Sequence, residues 1–115
     1  MKSLKSSRLP KKLKRPLVMV RRVAGSSMLP VLKPGQIVVA LSVWHRRLPQ
    51  AGEVVIISHD GLEKIKRLKQ LDKAANRLYV IGDNPVSSTD SRSFGWLPLT
   101  SLRARVVWPR LSRKV

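Results

Sequence analysis

Ser27 stands in Gly25-Ser26-Ser27-Met28-Leu29-Pro30, Lys66 in Ile65-Lys66-Arg67, and a polar run goes from Gly82-Asp83-Asn84 to Ser88-Thr89-Asp90-Ser91-Arg92. A serine hydroxyl is a weak nucleophile until a neighbouring base takes its proton. A lysine can be that base near neutral pH only when its ammonium is stripped of water, which lowers its pKa from about 10.4. Each segment alone has a plainer reading. Gly-Ser-Ser is a turn, 64–69 a solvated basic strand, and 82–92 a polar surface loop. In this order, however, they supply a nucleophile, a base and a loop able to hold both.

The local chemistry can be taken further. Ser27 follows the tight Gly25-Ser26 pair at the end of an expected strand, where backbone N–H groups can face a developing oxyanion. Strand alternation puts Lys66 on the face of Leu68, with Ile65 and Arg67 on the other. Ser88 can accept from the lysine ammonium and orient it, and Asp90 can pair with Arg92 to lock the loop. Asp83 and Asn84 can cap their turn through their own backbone. A Ser-His-Asp arrangement is disfavoured. His45 sits beside Arg46-Arg47 and His59 precedes Asp60-Gly61 in an expected turn, so both read as surface residues. Trp44, Trp96 and Trp108 read as packing or interface anchors.

The elements that must position these residues are short. Apolar runs bounded by Pro and Gly signals read as strands over 17–23, 36–43, 53–58, 64–71, 77–81 and 103–108. Pro34-Gly35, 49–52, Gly61, 73–77 and Gly82-Asp83-Asn84-Pro85 read as the turns and loops between them. Residues 99–105 have a second reading as one helical turn. Strands at this spacing predict a mostly β domain, a small antiparallel roll or barrel-like fold.

At 115 residues with 43% hydrophobic and 4% aromatic content, one small domain with a Val, Leu and Ile core is expected. The absence of cysteine excludes disulfides, a thiolate nucleophile and a Cys-ligated zinc site, and two histidines argue against a His-rich metal site. No cofactor or metal is expected. The formal charge of +18 lies on the ends: residues 1–22 hold nine Lys or Arg and 103–115 five, with no acid in either. All six acids fall between, so that stretch carries only +4. The reading is a basic disordered arm over 1–16, a folded domain over 17–108 and a basic tail over 109–115. Such ends attract polyanions, either an anionic membrane face or nucleic acid. No apolar run reaches the roughly 18–20 residues of a spanning helix, so a protein that is soluble or peripheral to a membrane is expected.

With these residues on the page, the chain resembles the catalytic domain of type I signal peptidases. Family members read Ser-Met-x-Pro with the serine as nucleophile, matching Ser27, and Ile-Lys-Arg with the lysine as general base, matching Lys66. Their Gly-Asp-Asn…Ser-x-Asp-Ser-Arg box matches Gly82, Asp83, Asn84, Ser88, Asp90, Ser91 and Arg92. Gly95 and Pro98 continue the pattern, with Leu97 in place of valine. Departures are Gly25 where some members have a serine oxyanion donor, Val31 for Thr, Gln36 for Asp, and Leu68-Lys69-Gln70-Leu71-Asp72 after the lysine box.

The resemblance implies a serine endopeptidase with a Ser27–Lys66 dyad, supported at the site by Ser88, Gly25 and Ser26. It also implies a precursor protein as substrate, with small residues before the cleaved bond. The compact spacing and the Gly-Asp-Asn-Pro…Ser-Thr-Asp-Ser-Arg-x-Phe-Gly wording resemble a branch described as maturation proteases of nickel-type superoxide dismutase. Self-cleaving repressors use Ser and Lys in a similar β fold, but no helix-turn-helix is legible here. A basic nucleic-acid-binding module is the rival from another class, and it leaves the three matched segments unexplained.

Overall fold

The computed structural model describes residues 17–43 and 47–114. The arm read over 1–16, together with Trp44 and His45, lies outside the described residues. Strands β1 (Val18–Arg22), β2 (Ile37–Ser42), β3 (Val54–His59), β4 (Leu62–Asp72), β5 (Arg77–Ile81), β6 (Leu97–Pro98) and β7 (Leu102–Trp108) form one sheet in the order β1-β2-β7-β3-β4-β5-β6. Every neighbouring pair is antiparallel. The sheet curls into a half-barrel, and the mostly β reading holds. Register slips at Val39/Ala40, Ile56/Ile57 and Leu68/Gln70 supply the bends, since an extra residue on one strand kinks it and adds twist.

The β3–β4 connection explains how the lysine strand is placed. His59 and Leu62 are joined by Asp60-Gly61 alone, with φ of 53° and 76°. Two consecutive positive φ values make the primed turn whose twist suits a tight hairpin, and Asp-Gly is a favoured pair for it. A two-residue loop leaves no slack in register, so Lys66 falls opposite Val55 and Ile65 opposite Ile56.

The apolar run Val54-Val55-Ile56-Ile57 does not alternate with polar residues because both faces of β3 are covered. Val55 and Ile57 join Leu68, Leu78, Val80, Leu97 and Leu102 on one side. Val54 packs with Val23, Met28, Leu32 and Val38, and Ile56 with Met19, Ala40 and Ala104, on the other. A strand buried on both faces reads as continuous hydrophobic sequence.

Three short features add to the elements expected from sequence. A one-turn helix α1 (Ser91–Phe94) is capped by the Asp90 side chain, which accepts from Arg92 N, and ends on Gly95 at φ 82°. Leu97–Pro98 pairs with β5, and a 3-10 turn spans Pro85–Ser87. The alternative helical turn over 99–105 reduces to a 3-10 turn at Leu99–Ser101 before β7 begins.

Residues 109–114 lie against the domain. Lys114 N donates to Gly52 O at 3.0 Å, Arg113 Nη2 to Ala51 O at 3.2 Å, and Leu111 packs on the Met28 cluster. Gly52 permits this approach: at φ 96° a Cβ there would stand 2.9 Å from Lys114 O. Among the described residues no helix is long and apolar enough to cross a membrane.

Candidate active site

After β1 the chain turns sharply at Ser27, and the turn is pinned from below. Leu32 N and Val31 N both donate to Met28 O, while Met28 and Leu32 are buried in the core. From above, the Gly82–Asn84 turn holds the same segment: Asn84 N donates to Ser27 O at 2.8 Å, and Asn84 Nδ2 to Ser26 O at 3.1 Å. The Ser26 and Ser87 hydroxyls are 3.0 Å apart. Ser26 is thus occupied by its neighbours. Half-buried Ser27 has no hydrogen-bond partner for its hydroxyl among the described residues and opens into a cleft of about 480 Å³.

Lys66 reaches the same cleft from β4 and is only 4% exposed. Its Nζ donates to Ser88 Oγ at 3.0 Å. Ser88 Oγ in turn donates to Asp90 Oδ2 at 2.7 Å, so the lone pairs of Ser88 are what face the ammonium. Burial holds the Lys66 pKa below its ordinary value. Asp90 opposes that shift, while Lys64 and Arg92 reinforce it. Ser27 and Lys66 share the cleft without bonding to each other, and Gly25 lines it as well.

Asp90 anchors the loop. At 1% exposure it accepts from Gly82 N at 2.7 Å, Ser88 Oγ at 2.7 Å, and Arg92 N and Nε at 3.0 Å, with Arg92 Nη2 at 2.5 Å. Burial alone would raise its pKa, but donation from Arg92, Gly82 and Ser88 outweighs this and holds the carboxyl well below the usual range. Ser91, also buried, accepts from Val80 N at 2.9 Å and ties the loop to β5. Gly82 packs tightly between the two halves of the site: a Cβ there would lie 2.6 Å from Ser88 Cβ and 2.7 Å from Ser27 O.

Asp83 and Asn84 act differently from the self-capping expected of them. Asn84 reaches across to the Ser27 turn, and Asp83 is taken by Arg67, whose Nε and Nη2 stand 3.1 and 2.6 Å from its oxygens. The reason is that Arg67, buried on the face opposite Lys66, needs a counter-charge. Its Nη1 goes to Gly52 O and Ser112 O, so one side chain binds β4, the Gly82 turn and the chain's last residues together. His59 is partly covered by Phe94, with ring centroids 4.1 Å apart, and does not line the cleft.

Sequence reasoning missed the far end of the cleft. Arg21 on β1 and Glu63 on β4 form an ion pair at 2.5 Å across it, and Arg22 and Lys64 line it beside them. Ser87 and Thr89 line it near Ser27. Nothing local signals a pair 42 residues apart. Among the described residues no group of acids and histidines could hold a metal ion.

The family model described as Peptidase S24-like matches residues 4–93. The chain belongs to the peptidase S24-like family. No curated protein matches it. The S24-like match includes Ser27, Lys66 and the loop through Arg92, and stops before β6 and β7. Membership places the chain with serine-type peptidases, a coarser assignment than the signal peptidase resemblance.

Proposed function

We propose that this chain is a serine endopeptidase that removes an N-terminal signal peptide or propeptide, with Ser27 as nucleophile and Lys66 as general base. One observation carries the reading: a buried lysine with a lowered pKa opens into the same cleft as a serine whose hydroxyl no other described residue engages. Neutral Lys66 takes the Ser27 proton as Oγ attacks the scissile carbonyl, and backbone N–H groups beside Ser27 hold the oxyanion. The protonated lysine then gives its proton to the leaving amine. Water, deprotonated by Lys66, hydrolyses the acyl-enzyme. Ser88 fixes the amine, and substrate binding draws Ser27 and Lys66 together, as catalytic hydrogen bonds in free enzymes often tighten only in the complex.

The cleft suits an extended peptide. Among the described residues, 62–66 of β4 pair with β3 alone, since β5 joins only from Arg67 onward, so a strand edge free of described partners faces the cleft. A substrate strand can add there through its main chain. Ala24, Met28, Ile56 and Ile65 line the floor and suit small side chains before the cleaved bond. The basic ends would favour work at an anionic membrane face. Exported preproteins and a dismutase propeptide are the two precursor sources to compare.

The test is cleavage of a panel holding both peptide kinds, with and without anionic lipid, by wild type and Ser27→Ala. Cleavage by wild type alone supports the reading, and the preferred peptide names the source. Equal inertness of both proteins, with tight RNA binding by the ends, would replace it with the basic nucleic-acid module.

Two further results are expected. Because only neutral Lys66 can accept the proton, kcat/KM rises with pH along a limb whose midpoint lies below 10.5, the ordinary lysine value. A midpoint at or above that value would remove Lys66 as the base. Gly82→Ala drives Ser88 away from the Ser27 turn, and a displacement on the order of 1 Å lowers kcat/KM about 100-fold. Steady-state kinetics on the best peptide checks it, and an unchanged rate would show that the loop yields without cost.

A further inference from the structure

The far end of the cleft is charged asymmetrically about the sheet. Met19 and Arg21 share one face of β1, and register carries that face through Val38 and Ala40 on β2 to Ile56 on β3 and to Ile65 and Glu63 on β4. The Arg21–Glu63 pair therefore closes the inner face, and its charges cancel. Arg22 and Lys64 lie on the opposite face, the face of Lys66, and both line the cleft. Arg22 Nη1 donates to Gly35 O at 2.8 Å. Lys64 Nζ stands 3.4 Å from His59 Nδ1 and 5.2 Å from the Phe94 ring centre. Among the described residues neither has a carboxylate partner, so Arg22 and Lys64 are two uncompensated cations at the edge of the cleft, their charged ends resting on Gly35 O and on His59 and Phe94 just outside it.

A strand added to the edge of β4 turns successive side chains to opposite faces. Those turned inward meet the apolar floor and the neutral ion pair. Those turned outward meet Arg22 and Lys64. We infer that the cleft selects an acidic side chain at the outward-facing substrate position opposite Arg22 and Lys64, two residues removed from the position facing Lys66. The inference rests on the peptidase reading for its substrate and deepens it: the substrate class is a segment with small inward residues and an acidic outward one.

Binding of labelled nonapeptides to the full Ser27→Ala chain tests this without turnover. A neutral parent with alanines at the small positions and glutamine elsewhere is scanned by placing one glutamate at each position in turn. Glutamate tightens binding about three- to tenfold at alternate positions only, as expected for contact with two partly exposed cations, and most of the gain disappears in 0.5 M salt, about a 4 Å screening length. Arg22→Gln with Lys64→Gln abolishes the gain, while Lys73→Gln with Arg110→Gln, exposed and outside the cleft, preserves it.

Equal tightening at every position, or loss of the gain in the second pair of variants, overturns the inference in favour of general attraction by a basic surface. So does the absence of any peptide binding. Cleavage by wild type separates the two claims. If wild type cuts neutral and acidic peptides equally and no alternation appears, the peptidase reading stands and this one falls. If alternation appears and wild type cuts nothing, the cleft keeps its selectivity and the peptidase reading falls.

Discussion

Lys66→Met is expected to abolish peptide cleavage and, in the same protein, to raise the melting temperature at neutral pH. Losing the base of a serine peptidase lowers kcat by on the order of 10⁴- to 10⁶-fold, because nucleophile and base work as a unit. The gain in stability comes from the environment that would make the lysine a base. Burial lowers its pKa in the folded chain below the 10.5 it has when unfolded. Below the folded value the ammonium is buried at full cost. Between the folded value and 10.5 the unfolded chain binds more protons, so wild-type stability rises with pH through that window. Methionine has similar length and no charge, and it relieves the cost at pH 7. Thermal unfolding at pH 7 and pH 10 checks this: the advantage of the variant should shrink at the higher pH. A lower melting temperature for Lys66→Met at pH 7 would mean that the amine is not penalised by its site.

Asp90→Asn is expected to cost both the fold and the rate, for a different reason. Every group facing the carboxylate is a donor: Gly82 N, Ser88 Oγ and three nitrogens of Arg92. Whichever way the amide is flipped, its NH₂ meets donors, and Arg92 loses its counter-charge. Arg92 is 42% exposed and can be hydrated once its partner is gone, so the cost is mainly that of the donors left unpaired around the amide, about 1–3 kcal/mol, which for a domain of this size lowers the melting temperature by roughly 4–15 °C. The wild-type contribution is complete above the unfolded carboxylate pKa of about 3.9 and is lost as pH falls through the depressed folded value, so the variant should show a flatter loss of stability in acid. Two kinetic effects accompany it. Ser88 loses its acceptor and no longer orients Lys66, and kcat/KM falls about 100-fold for a displacement near 1 Å. Asp90 also raises the Lys66 pKa through its charge, so the alkaline limb should move to lower pH. A limb that stays in place would mean that the carboxylate is felt only as scaffold.

Much of the fold was readable because its strands are apolar runs punctuated by Pro and Gly, and β3 and β5 begin or end within one or two residues of the sequence signals. Their order in the sheet was not readable. Placing the last strand between β2 and β3 depends on burying Ala104, Ile56 and Ala40 together, a contact among residues distant in sequence. The helix at Ser91–Phe94 is a single turn, too short for periodicity to announce, and only Asp90 at its cap marks it. At the site, the contact between Asp90 and Arg92 could be foreseen because the partners are two residues apart. The Arg67–Asp83 and Arg21–Glu63 pairs could not, because each forms only after the sheet has curled.

The order β1-β2-β7-β3-β4-β5-β6 has a consequence for assembly. Ser27 leaves the end of the β1–β2 hairpin, and Lys66 sits in the β3–β4–β5 meander. Of the strands, β7 alone is hydrogen-bonded to both. Until it threads between them, Ser27 and Lys66 belong to strand pairs that no ladder joins. On a ribosome, Ser27 and Lys66 would therefore meet only after nearly all of the described chain had emerged, a timing that would keep a peptidase of the proposed kind inert while it is made. The same topology divides the molecule at a natural seam. A fragment ending near residue 101 and a peptide carrying β7 would make a two-part system in which adding the peptide brings Ser27 and Lys66 into one cleft.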